Sequence, residues 1–279
     1  MKTSLTELEL SREQQIAELA EFIAEDYGTG GRVEPASIAR KKNITHNFGY
    51  YKNAFDGMLE FYDKRFHIYL NLSRLERYES PRARFTFAHE LGHYFIDEHR
   101  NALQSGFAPA HFSVCEYESD NLVEREADWF ASNLLMPQTH FLRKAQESQV
   151  GMKGVLEIQR YFNTSITSAM LRYAQSGVAP CVVMKWNANG LAWKKQSGHE
   201  VIQAFRRPVE YPQYLPENSP TLWALRGAKT PAHGFFAAHA KAESWFPNLK
   251  DASLRDAVFI EQAIRLGQFG VLTLLYLAD

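Results

Sequence analysis

Between residues 11 and 27 the chain reads SREQQIAELAEFIAEDY, and its apolar positions Ile16, Leu19, Ala20 and Ile23 recur at helical spacing. Ser11 with Gln14 three residues later has the form of a capping box, and GTGG at 28–31 stops the run. A helix is therefore predicted over 11–27, and a short second one in EPASIARKKN, opened by Pro35. From Phe55 to Asn71 the period changes to two. Met58, Glu60 and Tyr62 oppose Leu59 and Phe61; beyond a polar turn at Asp63-Lys64, Phe66, Ile68 and Leu70 alternate with His67, Tyr69 and Asn71. That pattern predicts a hairpin with one buried face. Ser80-Pro81 reads as an N-cap followed by a proline in the first helical position, opening a helix that runs through FAHELGHYF at 87–95. Residues 100–121 show no clear period, contain Gly106 and Pro109, and predict a long loop or short irregular elements. LVEREADWFASNLLMP at 122–137 predicts a strong helix closed by proline, and two more helical stretches fit 138–148 and 154–176. From Ala179 the character changes: PCVVMKW, NANG and LAWKK read as strand, tight turn and strand. A helix over 253–266 and a last strand over 270–277 complete a predicted α+β module.

Composition narrows the class. With 279 residues, of which 45% are hydrophobic, the chain can bury a core, and its length suits more than one domain. A formal net charge of -1 provides no global basic field for nucleic acid. Two cysteines, Cys115 and Cys181, exclude a disulfide framework and suit a reducing compartment. The opening MKTSLTELELSREQQ has no apolar signal core, and the apolar run VLTLLYLA at 271–278 is too short to span a bilayer. A soluble cytoplasmic protein without membrane attachment is expected.

The chemistry concentrates in HELGH at 89–93. On a helix, residues four apart share a face, so His89 and His93 present two imidazoles side by side, as a zinc site with nitrogen ligands requires. Glu90 is offset by about 100°, beside such a metal rather than on it, where a carboxylate acts as general base. The flanking Phe85, Phe87, Ala88, Leu91, Tyr94, Phe95 and Ile96 make this helix largely buried, and buried His and Glu without partners would be costly. A third ligand is sought among Glu124, Glu126 and Asp128. The apolar face of their helix is centred on Ala127, Ala131, Leu134 and Leu135. At about 100° per residue, Glu124 falls close to that face, Asp128 at its margin and Glu126 roughly 110° away, towards solvent. Glu124 is therefore the predicted third ligand. Asp128, one turn on, is placed to accept a hydrogen bond from the outer nitrogen of a ligand histidine. Tyr62, His67, Tyr94 and His99 are candidates by type for stabilising an oxyanion, and Cys115, between the two motifs, is a candidate regulatory thiol.

HELGH at 89–93 followed by EREADWFASNLLMP at 124–137 resembles the ImmA/IrrE family of zinc metallopeptidases, and the upstream FDGMLEF…FHIYLN is similar to that family's hairpin. The resemblance covers about the first half of the chain. It implies a gluzincin-like site holding one zinc ion, with ligands His89, His93 and Glu124 and catalytic Glu90. The implied fold is α+β: a mainly helical zincin-like peptidase domain with a small antiparallel sheet over 1–148. A helix-turn-helix-like segment over 149–177 and a C-terminal α+β module over 178–279, weakly similar to GAF-like sensors, would follow. The implied substrate is a helix-turn-helix repressor, whose cleavage releases mobile-element or stress-response genes. Two other functions remain open: an antirepressor that holds its partner without cutting, and a DNA-binding regulator working through residues 156–177. The charge over 138–177 is only about +3, so direct DNA binding is not expected. The aromatics Trp186, Trp193, Trp223, Phe235, Phe236 and Trp245 read as core, as does Cys181.

Overall fold

A computed structural model of the chain describes residues 3–28, 31–107, 110–113, 121–198, 202, 215–246 and 254–278, with the backbone alone for 3–10 and 111. The fold is α+β and separates into two compact units, Met1–Phe141 with Tyr161–Ser165, and Leu142–Arg160 with Ile166–Asp279. No helix among the described residues is long and apolar enough to cross a membrane.

The first unit contains α1 (Thr3–Tyr27), α2 (Pro35–Lys41), β1 (Thr45–Gly49), β2 (Gly57–Tyr62) and β3 (Arg65–Asn71). After a single turn of helix, α3 (Leu72–Leu75), come α4 (Pro81–Phe95), α5 (Asp97–Gln104), β4 (His111–Ser113) and α6 (Leu122–Leu135). The predicted hairpin is β2–β3, paired from Gly57↔Leu70 to Tyr62↔Arg65. Its two turn residues, Asp63 and Lys64, have φ of 48° and 59°, the left-handed pair that matches strand twist in a two-residue loop. Leu59, Ile68 and Leu70 on its buried face join Ile16 and Ile23 of α1, Leu91 of α4 and Leu134 of α6 in one core. Asn71, at the end of β3, is fully buried; its side chain accepts from Tyr51 N and Ser73 N and donates to Lys52 O and Phe55 O. It thereby fixes the path of the chain into β2. Ser80 caps α4 by accepting from Ala83 N at 3.1 Å, with Pro81 in the first turn.

Four expectations change here. First, α1 begins at Thr3, so Ser11 and Gln14 lie inside the helix; the helix formers upstream of Ser11 carry no stop signal. Second, the stretch 100–121, expected as a long loop or short irregular elements, contains the end of the regular helix α5 and the strand β4. Asp97 and Glu98 occupy the first turn of α5, where acids favour the helix dipole, and β4 pairs with β2 from Gly57↔Ser113 to Leu59↔His111. Third, the first sheet, ordered β1-β3-β2-β4, is mixed rather than antiparallel, because β1 runs parallel to β3. β1 is THNFG, too short and polar to announce a strand.

The second unit holds most of the helical pair α8 (Met152–Phe162) and α9 (Ile166–Ser176), which follows α7 (Gln138–Glu147). Asn163, at the break between α8 and α9, has φ of 51°. Five antiparallel strands follow in the order β6-β5-β9-β8-β7: β5 (Cys181–Asn187), β6 (Gly190–Gln196), β7 (Phe236–Lys241), β8 (Val258–Arg265) and β9 (Val271–Leu277). The fourth correction is β8, expected as a helix. It is hydrogen-bonded on both sides, to β7 and β9, and Phe259, Glu261 and Ala263 alternate inward. Two complete ladders outweigh a modest helical preference. Trp186, Phe236 and Trp245 are buried in this core and Trp223 packs against it, as expected for core aromatics. Cys181 is also core, and burial pushes its thiol up to about 12.

Glu261 is a buried acid at the centre of this unit. Its Oε1 accepts from Ser219 Oγ, Thr221 N and Thr221 Oγ1 at 2.7–2.8 Å, and its Oε2 accepts from Trp245 Nε1 at 3.2 Å. The contacts tie the helix Pro220–Leu225 and the turn at Trp245 to the sheet. Desolvation still dominates and raises its pKa from the ordinary 4.5. A folded-state value above the unfolded one means the native state holds more protons in that window, so stability falls as pH rises through it. Urea unfolding from about pH 4.5 to about pH 8 is expected to show the stability difference between Glu261→Gln and wild type shift steadily in favour of the variant. A difference independent of pH would contradict a raised pKa.

Candidate metal centre

α4 is buried along almost its whole length, His89, Glu90 and His93 included, each at most 1% exposed. α6 packs against it. The contact is close because Gly92 of α4 offers no side chain where it meets the backbone of Ala127 of α6. A Cβ added at Gly92 would lie 3.1 Å from Ala127 Cα, 3.2 Å from Ala127 O and 3.3 Å from Phe130 Cβ. Glycine inside a helix costs about 1 kcal/mol relative to alanine, and here the close approach of two backbones accounts for it. Asn121 caps α6 by accepting from Val123 N at 3.0 Å, which leaves Glu124 in the first turn, one helical turn before Ala127.

The outcome is a triangle of ligand atoms. His89 Nε2 and His93 Nε2 are 3.1 Å apart. Glu124 Oε2 lies 3.4 Å from His89 Nε2, and Glu124 Oε1 lies 3.5 Å from His93 Nε2. Atoms at zinc-ligand distances around a tetrahedral ion stand roughly 3.4 Å apart, so the three edges match one face of a zinc tetrahedron. Two imidazoles and a carboxylate are also the donor set a catalytic zinc takes, with the fourth position left for water or substrate. Among the described residues, His89, His93 and Glu124 are the group able to hold a metal ion.

The surroundings orient the triangle. His89 Nδ1 lies 2.7 Å from Asp128 Oδ1, the contact expected of Asp128 from its position one turn beyond Glu124. A carboxylate there keeps the ring proton on Nδ1 and the lone pair on Nε2. Glu90 sits beneath β2: a Cβ at Gly57 would fall 2.5 Å from Glu90 Oε1 and 2.5 Å from Thr86 Cγ2. Glycine at 57 thus lets the strand pass directly over the carboxylate.

Glu126 departs from expectation. It is 6% exposed, not turned to solvent, because α1 and α5 cover the flank of α6 that its own apolar stripe does not define. Arg12 of α1 donates from Nε to Glu126 Oε1 at 3.0 Å and from Nη2 to Glu126 Oε2 at 3.1 Å, and also reaches Glu98 at 3.0 Å. These carboxylates, Glu126 first, push the Arg12 pKa up, and Arg12 lowers that of Glu98. His99, from α5, joins this group: its Nε2 lies 3.0 Å from Glu126 Oε2 and its Nδ1 3.1 Å from His93 Nδ1. Neither the burial of Glu126 nor the contact of His99 with His93 was visible in the sequence; the six-residue spacing from His93 to His99 was the available signal, hidden by the break between α4 and α5.

The remaining candidates lie elsewhere. His99 faces the outer nitrogen of His93. Tyr94 packs edge-on against Phe66 at 5.1 Å, with Arg100 over its ring. Tyr62 is exposed at the end of β2, and His67 bonds Thr45 Oγ1 and Tyr62 O. Cys115 lies outside the described residues.

If the close crossing of α4 and α6 sets the ligand triangle, Gly92→Ala must separate the helices by a few tenths of an ångström. Zinc affinity, measured by chelator competition, is expected to fall on the order of tenfold with the helical content unchanged; wild-type affinity would sever that link.

Comparison with known proteins finds a similarity over the segment that carries this site. Residues 62–173, spanning β3 to α9 and both motifs, match the family model described as the IrrE N-terminal-like domain, peptidase M78. No curated protein matches. Among solved structures, a Mycobacterium tuberculosis transcriptional regulator is similar with a TM-score of 0.54 and 12% sequence identity, over 94% of this chain and 74% of that one; at that identity the likeness is one of fold. Residues 62–173, which contain the His89, His93 and Glu124 group, are thus similar to the IrrE N-terminal-like domain of the M78 peptidase family.

Proposed function

We propose that the chain is a zinc-dependent endopeptidase whose substrate is a helix-turn-helix transcriptional repressor. The observation that carries this reading is the ligand triangle with Glu90 buried beside it, within a domain of a peptidase family. A metal scaffold alone has no use for a buried carboxylate next to its ligands, given the cost of burying one. His89, His93 and Glu124 would hold the ion. A zinc ion held there supplies Lewis acidity, polarising the scissile carbonyl and acidifying water.

The chain's own groups then have distinct tasks. Glu90 Oε takes the proton of the attacking water and passes it to the departing amide nitrogen. β2, fixed over Glu90 at Gly57, excludes bulk water from that carboxylate. Asp128 holds His89 with its Nε2 lone pair facing inward. The repressor as substrate rests on the resemblance of the paired motifs, with the fold likeness to a transcriptional regulator consistent with it.

The test is incubation of the zinc-supplemented chain with the helix-turn-helix repressor encoded beside it, read by intact mass. One defined cut is expected from wild type. Glu90→Gln is expected to keep zinc and to cleave at least about 100-fold more slowly. Undiminished cleavage by Glu90→Gln would remove Glu90 as the base. Equal relief of repression by both proteins without cleavage would favour the antirepressor that holds its partner.

A further inference from the structure

The two ligand histidines are supported differently. His89 meets a carboxylate, Asp128, at its outer nitrogen; His93 meets another imidazole, that of His99. Between two ring nitrogens 3.1 Å apart, one must donate and the other accept. The direction is decided at the far end. Both oxygens of Glu126 face donors of Arg12, so Glu126 can only accept from His99 Nε2, 3.0 Å away. A neutral His99 with its proton on Nε2 has its lone pair on Nδ1. It therefore accepts from His93 Nδ1, which puts the only ring proton of His93 there and leaves the lone pair on His93 Nε2, the atom facing His89 Nε2 and Glu124. The reverse order would protonate His93 Nε2 in the centre of the ligand triangle.

We propose that Arg12, Glu126 and His99 form a positioning relay that fixes the tautomer of His93 for metal binding, with Arg12 setting the direction from helix α1. This rests on the reading that the triangle holds zinc. It assigns a task to two residues on α1 and α5 that lie outside both motifs, and to Glu126, the middle acid of the second motif. It also explains why a histidine and a glutamate, each under a tenth exposed, are retained in this part of the core.

The relay is tested on the full chain by zinc affinity in competition with a chromogenic chelator, alongside thermal melting of the metal-free proteins. Glu126→Gln keeps the shape but sets an amide donor against Arg12 or His99. His99→Phe removes both ring nitrogens. Each is expected to weaken zinc binding about 10–100-fold. His99→Gln, whose amide offers one acceptor and one donor, is expected to recover most of that loss. A merely structural role would lower the metal-free melting temperature and leave the affinity alone. A second readout needs no variant: long-range imidazole nitrogen NMR of the zinc-loaded chain must show His93 protonated at Nδ1 and His99 at Nε2. Protonation of His99 at Nδ1, or wild-type affinity in both Glu126→Gln and His99→Phe, would overturn the relay alone. No zinc binding by wild type would overturn the metal reading and the relay together.

Discussion

The site depends on how closely α4 and α6 approach at Gly92 and Ala127. HELGH on one helix supplies two ligands and a neighbouring base, but the third ligand has to come from another helix. A carboxylate side chain reaches only a few ångströms. With Glu124 one turn before Ala127, the backbone contact at Gly92 brings its oxygens to 3.4 and 3.5 Å from the two imidazole nitrogens. A larger residue at either contact would widen the gap, and the triangle would lose its third corner. The shared core of α1, the hairpin and the two helices then holds this crossing in place.

Burial is the second constraint. The crossing removes His89, Glu90, His93, His99 and Glu126 from water, and each polar atom so removed costs free energy unless it is paired. The cost is met by a directed chain of contacts. Asp128 stands behind one imidazole; His99, Glu126 and Arg12 stand behind the other. The same groups that make the polar interior tolerable also determine which ring nitrogens face inward. Stability and ligand geometry thus rest on one set of hydrogen bonds, and changes at Arg12 or His99 reach the centre without touching it.

Much of this was legible in the sequence, and the pattern of what was not is informative. α4, α6 and the β2–β3 hairpin were legible because each carries its own period, cap or turn: Ser80-Pro81, the repeat through Leu134, the polar pair Asp63-Lys64. Glu124 and Asp128 turn towards the histidines of α4, the direction that their orientation relative to the apolar stripe of α6 indicates. Glu126 was misplaced for the matching reason: a single helix does not reveal that α1 and α5 cover its other flank. β8 was read as a helix because AVFIEQAIR allows helical spacing, whereas its strand state depends on the ladders it forms with β7 and β9 on its two sides. β1 and β4 are short and gain their identity only from the strands beside them. Local chemistry was readable; whatever depended on a distant partner was not.

The most direct measurement is a crystal structure of the zinc-loaded chain with anomalous scattering recorded at the zinc absorption edge. A single anomalous peak about 2.0–2.2 Å from His89 Nε2, His93 Nε2 and a Glu124 oxygen is the predicted result. A peak elsewhere, or zinc bound by the two histidines with Glu124 turned away, would contradict the claim that the α4–α6 crossing builds the metal centre.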